Sequence, residues 1–390
     1  MPGKGGWGRR SWQRGLWTRC RLGVGPAGCR CRTLTAGGIE MVNATRFSAE
    51  RRDTPVKPLG TGRADLAARF VVRAAILAPS IHNTQPWRFI ERSDGLELWA
   101  DRARLLPIAD PGGREMIISC GAALFNVRLA VRRLGFTPRV RLLPNPAYPD
   151  LLARVTWGTR TAPRPYEQLL YRTIPYRHTH RGRFLATPLP PMLPTVLAGI
   201  ARYEGAGLRV IKDEAQCRQL AEHVQAAGAA QLRDPRILGE LLAWTAPPGS
   251  ERVDGLAMGS SPAGADGLEF PSRDLPAGAP WEAEREAGDR ELAHRAAPAA
   301  VGTVAVLTTR EDRRVDWLLA GQALQHVLLH ATTLDVSAAF HTQPLELPYL
   351  RAAVRRDLVC GHPQMVLRLG YVARRPHSRR RPVADVLSSE

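Results

Sequence analysis

The sequence is poor in lysine, in cysteine and in long apolar runs. Only three of its 55 basic residues are lysines, and no segment approaches the roughly 18 consecutive apolar residues of a membrane helix. The six cysteines are scattered and include no C-x-x-C pair, so we expect neither a disulfide framework nor a zinc site. These absences leave a globular chain of 390 residues, 44% of them hydrophobic, with no expected membrane partner.

The formal net charge of +19 would ordinarily favour nucleic acid or an anionic membrane as a partner. The 52 arginines are spread along the whole chain, however. Such a spread is more typical of codon usage in a GC-rich genome than of a phosphate-binding face. We therefore expect no nucleic-acid partner and a cytoplasmic location.

Residues 1–58 are rich in Gly and Arg, lack a sustained apolar period and contain no acidic residue before Glu40. Two interpretations stay open for this extension. It fits a transit peptide, and it equally fits a mis-assigned start with Met41 as the true first residue. In either case we exclude it from the fold.

Hydrophobic periodicity predicts mixed helices and strands from Asp65 onward. Helices are predicted over 65–78, 115–134, 192–203, 214–232 and 315–334, with a short one near Tyr166. Strands are predicted over 87–90, 96–100, 139–143, 151–157, 208–211, 303–307 and 365–372. Residues 246–280 are rich in Gly, Pro, Ala and Ser and are interpreted as a long surface excursion that resembles a lid.

The most informative stretch is 75–89, which reads AILAPSIHNTQPWRF. An apolar helical run ends at Pro79, a polar turn follows, and Pro86-Trp87 begins a strand. Small polar groups and backbone N–H donors beside an aromatic residue suit a flat polar heterocycle. The pattern A-x-x-A-P-S-x-x-N-x-Q-P-W-x-F resembles the signature of the nitroreductase family of FMN-dependent oxidoreductases.

The resemblance implies an α+β, nitroreductase-like fold in which this turn contacts the flavin. It implies that Pro79, Ser80, Ile81 and Asn83 lie against the isoalloxazine ring of FMN. We assign Trp87 to the hydrophobic core instead.

Basic residues that could bind the FMN phosphate come from two places. Arg177, His178, Thr179 and Arg181 resemble the family motif R-x-[ST]-x-[RK], which contacts the phosphate, the ribityl chain and the pyrimidine edge. Family members also place a basic cluster after the last strand, and in 379–381 we choose Arg380. The alternative is that these arginines are solvated, as charged runs usually are.

The resemblance further implies a backbone N–H donor to flavin N5 from residues 342–346, and in this segment we name Pro344 and Leu345 as cofactor-binding residues. Three arginines near the first-half loop could contact the pyrimidine edge or form surface ion pairs: Arg102, Arg104 and Arg114. No carboxylate or cysteine lies near His178 and His180, so we expect no metal there.

The two long predicted helices share a weak repeat at a constant offset of 200 residues. Six positions of the first helix (Gly121, Ala123, Leu124, Val127, Leu129, Leu134) recur in the second as Gly321, Ala323, Leu324, Val327, Leu329 and Leu334. Chance similarity of two buried helices is the alternative. We interpret the chain as two nitroreductase-like halves, 59–165 and 166–390, that form an intrachain pseudo-dimer.

Only the first half contains the A-P-S turn and only the second contains R-x-T-x-R, so one FMN site is expected. This arrangement resembles the fused, lid-bearing Acg family of actinobacteria. The implied activity is hydride transfer from NAD(P)H through FMN to a small-molecule acceptor such as a nitroaromatic or a quinone. The alternative is a protein that sequesters FMN beneath its lid. We expect a monomer or a weak homodimer.

Overall fold

The computed structural model describes residues 61–182, 184–247, 249–257, 299–373 and 378–389. The predicted extension 1–58 and most of the predicted lid, 258–280, lie outside them. The helices are α1 (Thr61–Ala75), α2 (Arg114–Arg133), α3 (Pro165–Thr173), α4 (Leu193–Tyr203), α5 (Glu214–Arg233), α6 (Pro235–Ala243), α7 (Arg314–Thr332) and α8 (Pro348–Asp357). None of the helices in these ranges is both long and apolar enough to cross a membrane.

The strands form two main sheets and two short pairs. The first sheet has the order Leu387–Ser389, Trp87–Arg92, Gly95–Ala100, Leu151–Arg160, Phe136–Leu142. The second has the order Ser337–Phe340, His362–Gly370, Thr303–Thr309, Gly207–Val210. The short pairs are Phe184–Leu185 with Ala299–Ala300, and Thr245–Ala246 with Leu256–Ala257.

The predicted hairpin is confirmed, because Trp87 pairs with Ala100 and Arg92 with Gly95 in an antiparallel register. Trp87 is fully buried, as predicted. Strand Leu387–Ser389 pairs parallel with Trp87–Arg92. The C-terminal strand thus joins the sheet of the first half, although the sequence division near residue 165 assigns it to the second.

Helices α2 and α7 pack against each other between the two sheets, and nearly every residue of α2 is buried. A helix that is apolar on all sides belongs inside a core. Their contacts are reciprocal. The carbonyl oxygen of Leu318 blocks the space beside Gly121, and that of Ile118 blocks the space beside Gly321. Adding the repeat offset of 200 to positions 118 and 121 gives positions 318 and 321. The repeat therefore exchanges the two contacts, which is the pattern of contacts across a two-fold axis.

Besides the two short strand pairs, four elements were not predicted: α6, α8 and the strands Ser337–Phe340 and Leu387–Ser389. Helix α6 carries an N-terminal signal, since Asp234 caps it by accepting from the backbone N–H of Arg236 at 2.9 Å, and Pro235 follows. The two strands are three or four residues long and leave little periodicity to detect.

Candidate functional site

The turn after α1 has an unusual backbone. His82, Asn83 and Gln85 all have positive φ, at 43°, 54° and 51°. Each such residue costs roughly 1 kcal/mol unless its surroundings hold it in place. Two side-chain oxygens do so, since Ser80 Oγ accepts from Gln85 N at 3.0 Å and Ser119 Oγ accepts from Ile81 N at 3.2 Å. The turn is therefore fixed to α2.

Asn83 connects the turn to two distant segments. Its Oδ1 accepts from Arg380 Nη1 at 3.0 Å, and its Nδ2 donates to the carbonyls of Arg379 at 3.3 Å and Gly255 at 3.2 Å. The backbone N–H of Gly255 in turn donates to the Asn83 carbonyl at 3.3 Å. Asn83 was predicted to contact the flavin ring. Its side-chain amide is instead engaged by Arg380, Arg379 and Gly255, and it does not line the cleft that is described below.

Gln85 makes a parallel set of connections from a fully buried position. Its Nε2 donates to the carbonyl of Val253 at 2.9 Å, and its Oε1 accepts from the backbone N–H of Arg381 at 2.8 Å. The sequence motif contains this glutamine without indicating its partners, which lie 168 and 296 residues further along the chain.

A cleft with a volume of about 80 Å³, open to solvent on one side, lies beside the turn. Its walls include five predicted residues: Pro79, Ser80, Ile81, Thr179 and Arg181. Further lining comes from residues that the sequence analysis missed, among them His180, Leu256, Phe340, His341, Thr342 and Arg368. Both halves of the chain therefore contribute to one cleft.

Arg177 and Arg380 are two cations for which the described part of the chain supplies no carboxylate. Arg177 is 3% exposed, and it donates only weakly, to Thr179 Oγ1 at 3.4 Å and to the Leu77 carbonyl at 3.3 Å. Burial and the neighbouring charge of Arg380 lower the pKa of Arg177 to about 9. Among the described residues neither guanidinium has a carboxylate partner, and the Nε of each is enclosed without an acceptor.

Burial, followed by the charge of Arg181, lowers the pKa of Arg380 to about 10. Its remaining contacts are to neutral oxygens, including the Ala78 carbonyl at 3.3 Å. Buried cations that repel one another are costly unless an anion joins them. Arg177, Arg380 and Arg181 therefore fit an anionic ligand group with several acceptor oxygens, such as a phosphate. His178 is half-buried and does not line the cleft. Arg177 and Arg380 lie behind the cleft surface, whereas Arg181 lines it.

Another cationic residue, Arg368, lines the cleft itself. Arg368 is buried in strand His362–Gly370 and donates from Nε to His341 Nε2 at 2.8 Å. Burial lowers the pKa of Arg368 to about 10. An arginine within the apolar run MVLRLG was the sequence signal that could have identified this position.

The structure does not bring Pro344 and Leu345 to the cleft. They lie in a short 3-10 helix, Gln343–Leu345, that turns into the core, where Leu345 is buried with Val304 and Val366. The segment that lines the cleft is 339–342, a few residues earlier. The lining segment shares only Thr342 with the predicted 342–346, because the chain turns inward at Gln343-Pro344.

The three first-half arginines form ion pairs, and the pair of Arg114 with Glu115 is buried instead of lying at the surface. Arg102 pairs with Asp150, Arg104 with Asp254 and Arg114 with Glu115, at 2.7, 2.7 and 2.8 Å. None of the three lines the cleft. Within the described residues no group of three or more His, Cys, Asp or Glu side chains could hold a metal ion.

No protein-family model matches the chain. Two Mycobacterium tuberculosis proteins are similar in sequence to the chain, and both carry provisional names as NAD(P)H nitroreductases. One, Rv3131, is 33% identical over 307 residues, which is 78% of this chain and 84% of the relative. The other, acg, is 30% identical over 328 residues, or 81% and 93% of the two chains. The chain therefore belongs to the nitroreductase family, and the predicted α+β nitroreductase-like fold is confirmed.

Solved structures show lower similarity. The FMN-dependent nitroreductase NfnB from Mycobacterium smegmatis, in complex with NADPH, is 19% identical with a TM-score of 0.30 and covers 54% of this chain and 95% of its own. A nitroreductase with bound FMN from Desulfitobacterium hafniense is 15% identical with a TM-score of 0.31 and covers 54% and 93%.

Proposed function

We propose that the chain binds FMN in the cleft between its two halves and transfers electrons from NAD(P)H to a small-molecule acceptor, such as a nitroaromatic or a quinone. The observation that carries this proposal is the pair of enclosed guanidinium groups, Arg177 and Arg380, which have no carboxylate partner among the described residues and donate to the adjacent carbonyls of Leu77 and Ala78. The family of the chain and the names of its relatives support it.

Specific residues would hold each part of the cofactor. Arg177, Arg380 and Arg181 would bind the phosphate. Residues 79–81 would supply apolar contact and the backbone N–H of Ser80 for the ring, since Pro79 has no N–H and that of Ile81 donates to Ser119. Arg368 would place a positive charge in the wall of the cleft. When bound, FMN supplies the capacity to accept a hydride and pass on electrons.

The protein's own contribution is binding, charge and exclusion of water. No side chain in the cleft is assigned as an acid or a base. The cationic wall favours an anionic form of the ligand, and the fixed backbone of the turn keeps donors in place without reorganisation. The two halves would take the roles of two subunits, so we infer a monomer as the functional unit.

A second candidate is a protein that stores FMN without turnover. Leu256 lines the cleft, and segment 249–257 is tied to the turn through Asn83 and Gln85. A segment held there would limit access of nicotinamide to the ring. This alternative shares the cofactor with the first proposal and differs only in whether the ring is accessible.

The test is the visible spectrum of the purified full chain, followed by anaerobic addition of NADPH. A flavin band that bleaches within seconds supports the oxidoreductase. A band that persists with NADPH and bleaches with dithionite supports storage. A chain that binds no flavin after incubation with FMN would overturn both.

A further inference from the structure

A second cavity lies between α5 and α6, with a volume of about 350 Å³. Its apolar wall comes mainly from Leu232, Ile237, Leu238 and Leu241. Helix α6 is strongly apolar on one side, yet none of its residues is fully buried. A helix of this kind normally buries its apolar side against a core. The apolar side of α6 instead lines an open groove.

One polar side chain in the groove lacks a hydrogen-bond donor. Gln343 is 3% exposed and lines the groove, and its Oε1 has no partner among the described residues. An unpaired buried carbonyl of this kind costs roughly 1–3 kcal/mol. A ligand that donates an N–H or O–H to Gln343 would remove that cost.

The charge of the groove is opposite to that of the flavin cleft. Glu240 and Glu346 line it, and of the described residues in its wall none is Arg or Lys. The Glu240 carboxylate already accepts from the backbone N–H groups of Ile108 at 3.1 Å and Ala109 at 2.8 Å. The groove therefore disfavours anions, which excludes the diphosphate of a nicotinamide dinucleotide as its ligand.

We propose that this groove is a binding site for a small, uncharged aromatic molecule that carries an amine or hydroxyl donor. The apolar wall would cover the ring, and Gln343 would accept from the donor. His82 lines both this groove and the cleft, so the two sites are neighbours. The proposal requires no bound FMN and stands apart from the proposed function.

The test compares two glycines on neighbouring helices. A Cβ added to Gly228, which lines the groove from α5, meets no atom within 4 Å, and the same holds for Gly239, which is exposed on α6 and does not line it. Gly228→Leu should fill the groove without strain, and Gly239→Leu is its matched control.

Binding of 4-nitroaniline and 4-nitrobenzoate to the full chain is measured by ligand-observed NMR without NADPH. We expect the wild type and Gly239→Leu to bind 4-nitroaniline at least tenfold more tightly than 4-nitrobenzoate. Gly228→Leu should lose at least tenfold in affinity for 4-nitroaniline. Gln343→Leu should lose about as much for 4-nitroaniline but little for nitrobenzene, which has no donor.

Three results would overturn the proposal: no binding of 4-nitroaniline to the wild type, equal binding of the anion, or unchanged binding in Gly228→Leu. The flavin absorbance of each variant is recorded in parallel. A normal flavin spectrum with no effect of Gly228→Leu would reject the groove and leave the proposed function intact, whereas a missing flavin band would reject the proposed function alone.

Discussion

Gly121 and Gly321 lie against each other where α2 and α7 cross. A Cβ on Gly321 would be 2.8 Å from the Gly121 Cα, and a Cβ on Gly121 would be 3.0 Å from the Gly321 Cα. The two glycines are equivalent positions of the sequence repeat. A residue that contacts its own equivalent lies on a symmetry axis, as at the centre of a homodimer interface.

Replacing Gly321 with Ala should destabilise the chain. The added methyl would lie 2.8 Å from the backbone nitrogen of Ala122, so the helices must move apart, at a cost of about 1–3 kcal/mol. The free energy of unfolding is measured by urea titration. Gly199→Ala in α4 is the matched control, because its Cβ meets no atom within 4 Å. Equal stability of the two variants would contradict close contact at the crossing.

Replacing Arg177 with Met should weaken FMN binding tenfold or more, since hydrogen bonds between charged groups contribute about 1.5–3 kcal/mol each. Riboflavin, which lacks the phosphate, should bind the variant and the wild type alike. Flavin fluorescence titration measures both affinities. Arg69→Met, at an exposed position on α1, should change neither. An equal loss for FMN and riboflavin would place Arg177 away from the phosphate.

Replacing Asn83 with Asp should release segment 249–257. The carboxylate keeps the acceptor for Arg380 but loses the Nδ2 donor to the carbonyls of Gly255 and Arg379. Deuterium exchange of that segment should become several-fold faster. Asn145→Asp is the control, because exposed Asn145 uses only its Oδ1, to accept from Ala147 N at 3.0 Å. Unchanged exchange would show that the segment is held by other contacts.

Glu204 should make stability depend on pH. Burial by itself would raise the pKa of Glu204, but Arg128 at 2.6 Å and His326 at 3.0 Å lower it to about 2. A lowered pKa stabilises the fold above the ordinary value of 4.5, and that stability is lost as the pH falls from 4.5 towards 2.

Glu204→Gln should therefore be less stable than the wild type at pH 7, by about 3 kcal/mol, and the difference should shrink by about 2 kcal/mol at pH 3. Urea titrations at the two pH values measure it. Glu222→Gln, at an exposed position on α5, should track the wild type at both. A difference that stays constant with pH would mean that Glu204 does not titrate abnormally.

Local sequence signals predicted the long elements well. The helix expected over 115–134 is Arg114–Arg133, and the one expected over 315–334 is Arg314–Thr332. Both have sustained apolar patterns that few alternative structures satisfy. The turn containing Pro79 was located because its residues form a recognisable motif.

Contacts between distant segments could not be predicted from the sequence. Nothing near Asn83 indicates that its amide joins Gly255 and Arg379, and nothing near His341 indicates Arg368 as its donor. These pairings depend on how the sheets and helices pack, which no local pattern encodes. The misplaced Pro344 and Leu345 have the same origin, since a short 3-10 turn decides which backbone groups face the cleft.

The bond from Arg380 to Asn83 closes a loop of 297 residues. Closing such a loop costs conformational entropy that local structure around Asn83 cannot repay, so we expect this contact to form only after its flanking segments have folded. An anion held between Arg177 and Arg380 would reinforce the same closure. Its binding free energy would then oppose global unfolding by mass action, and loss of the anion would weaken the docking of the halves along with the cleft.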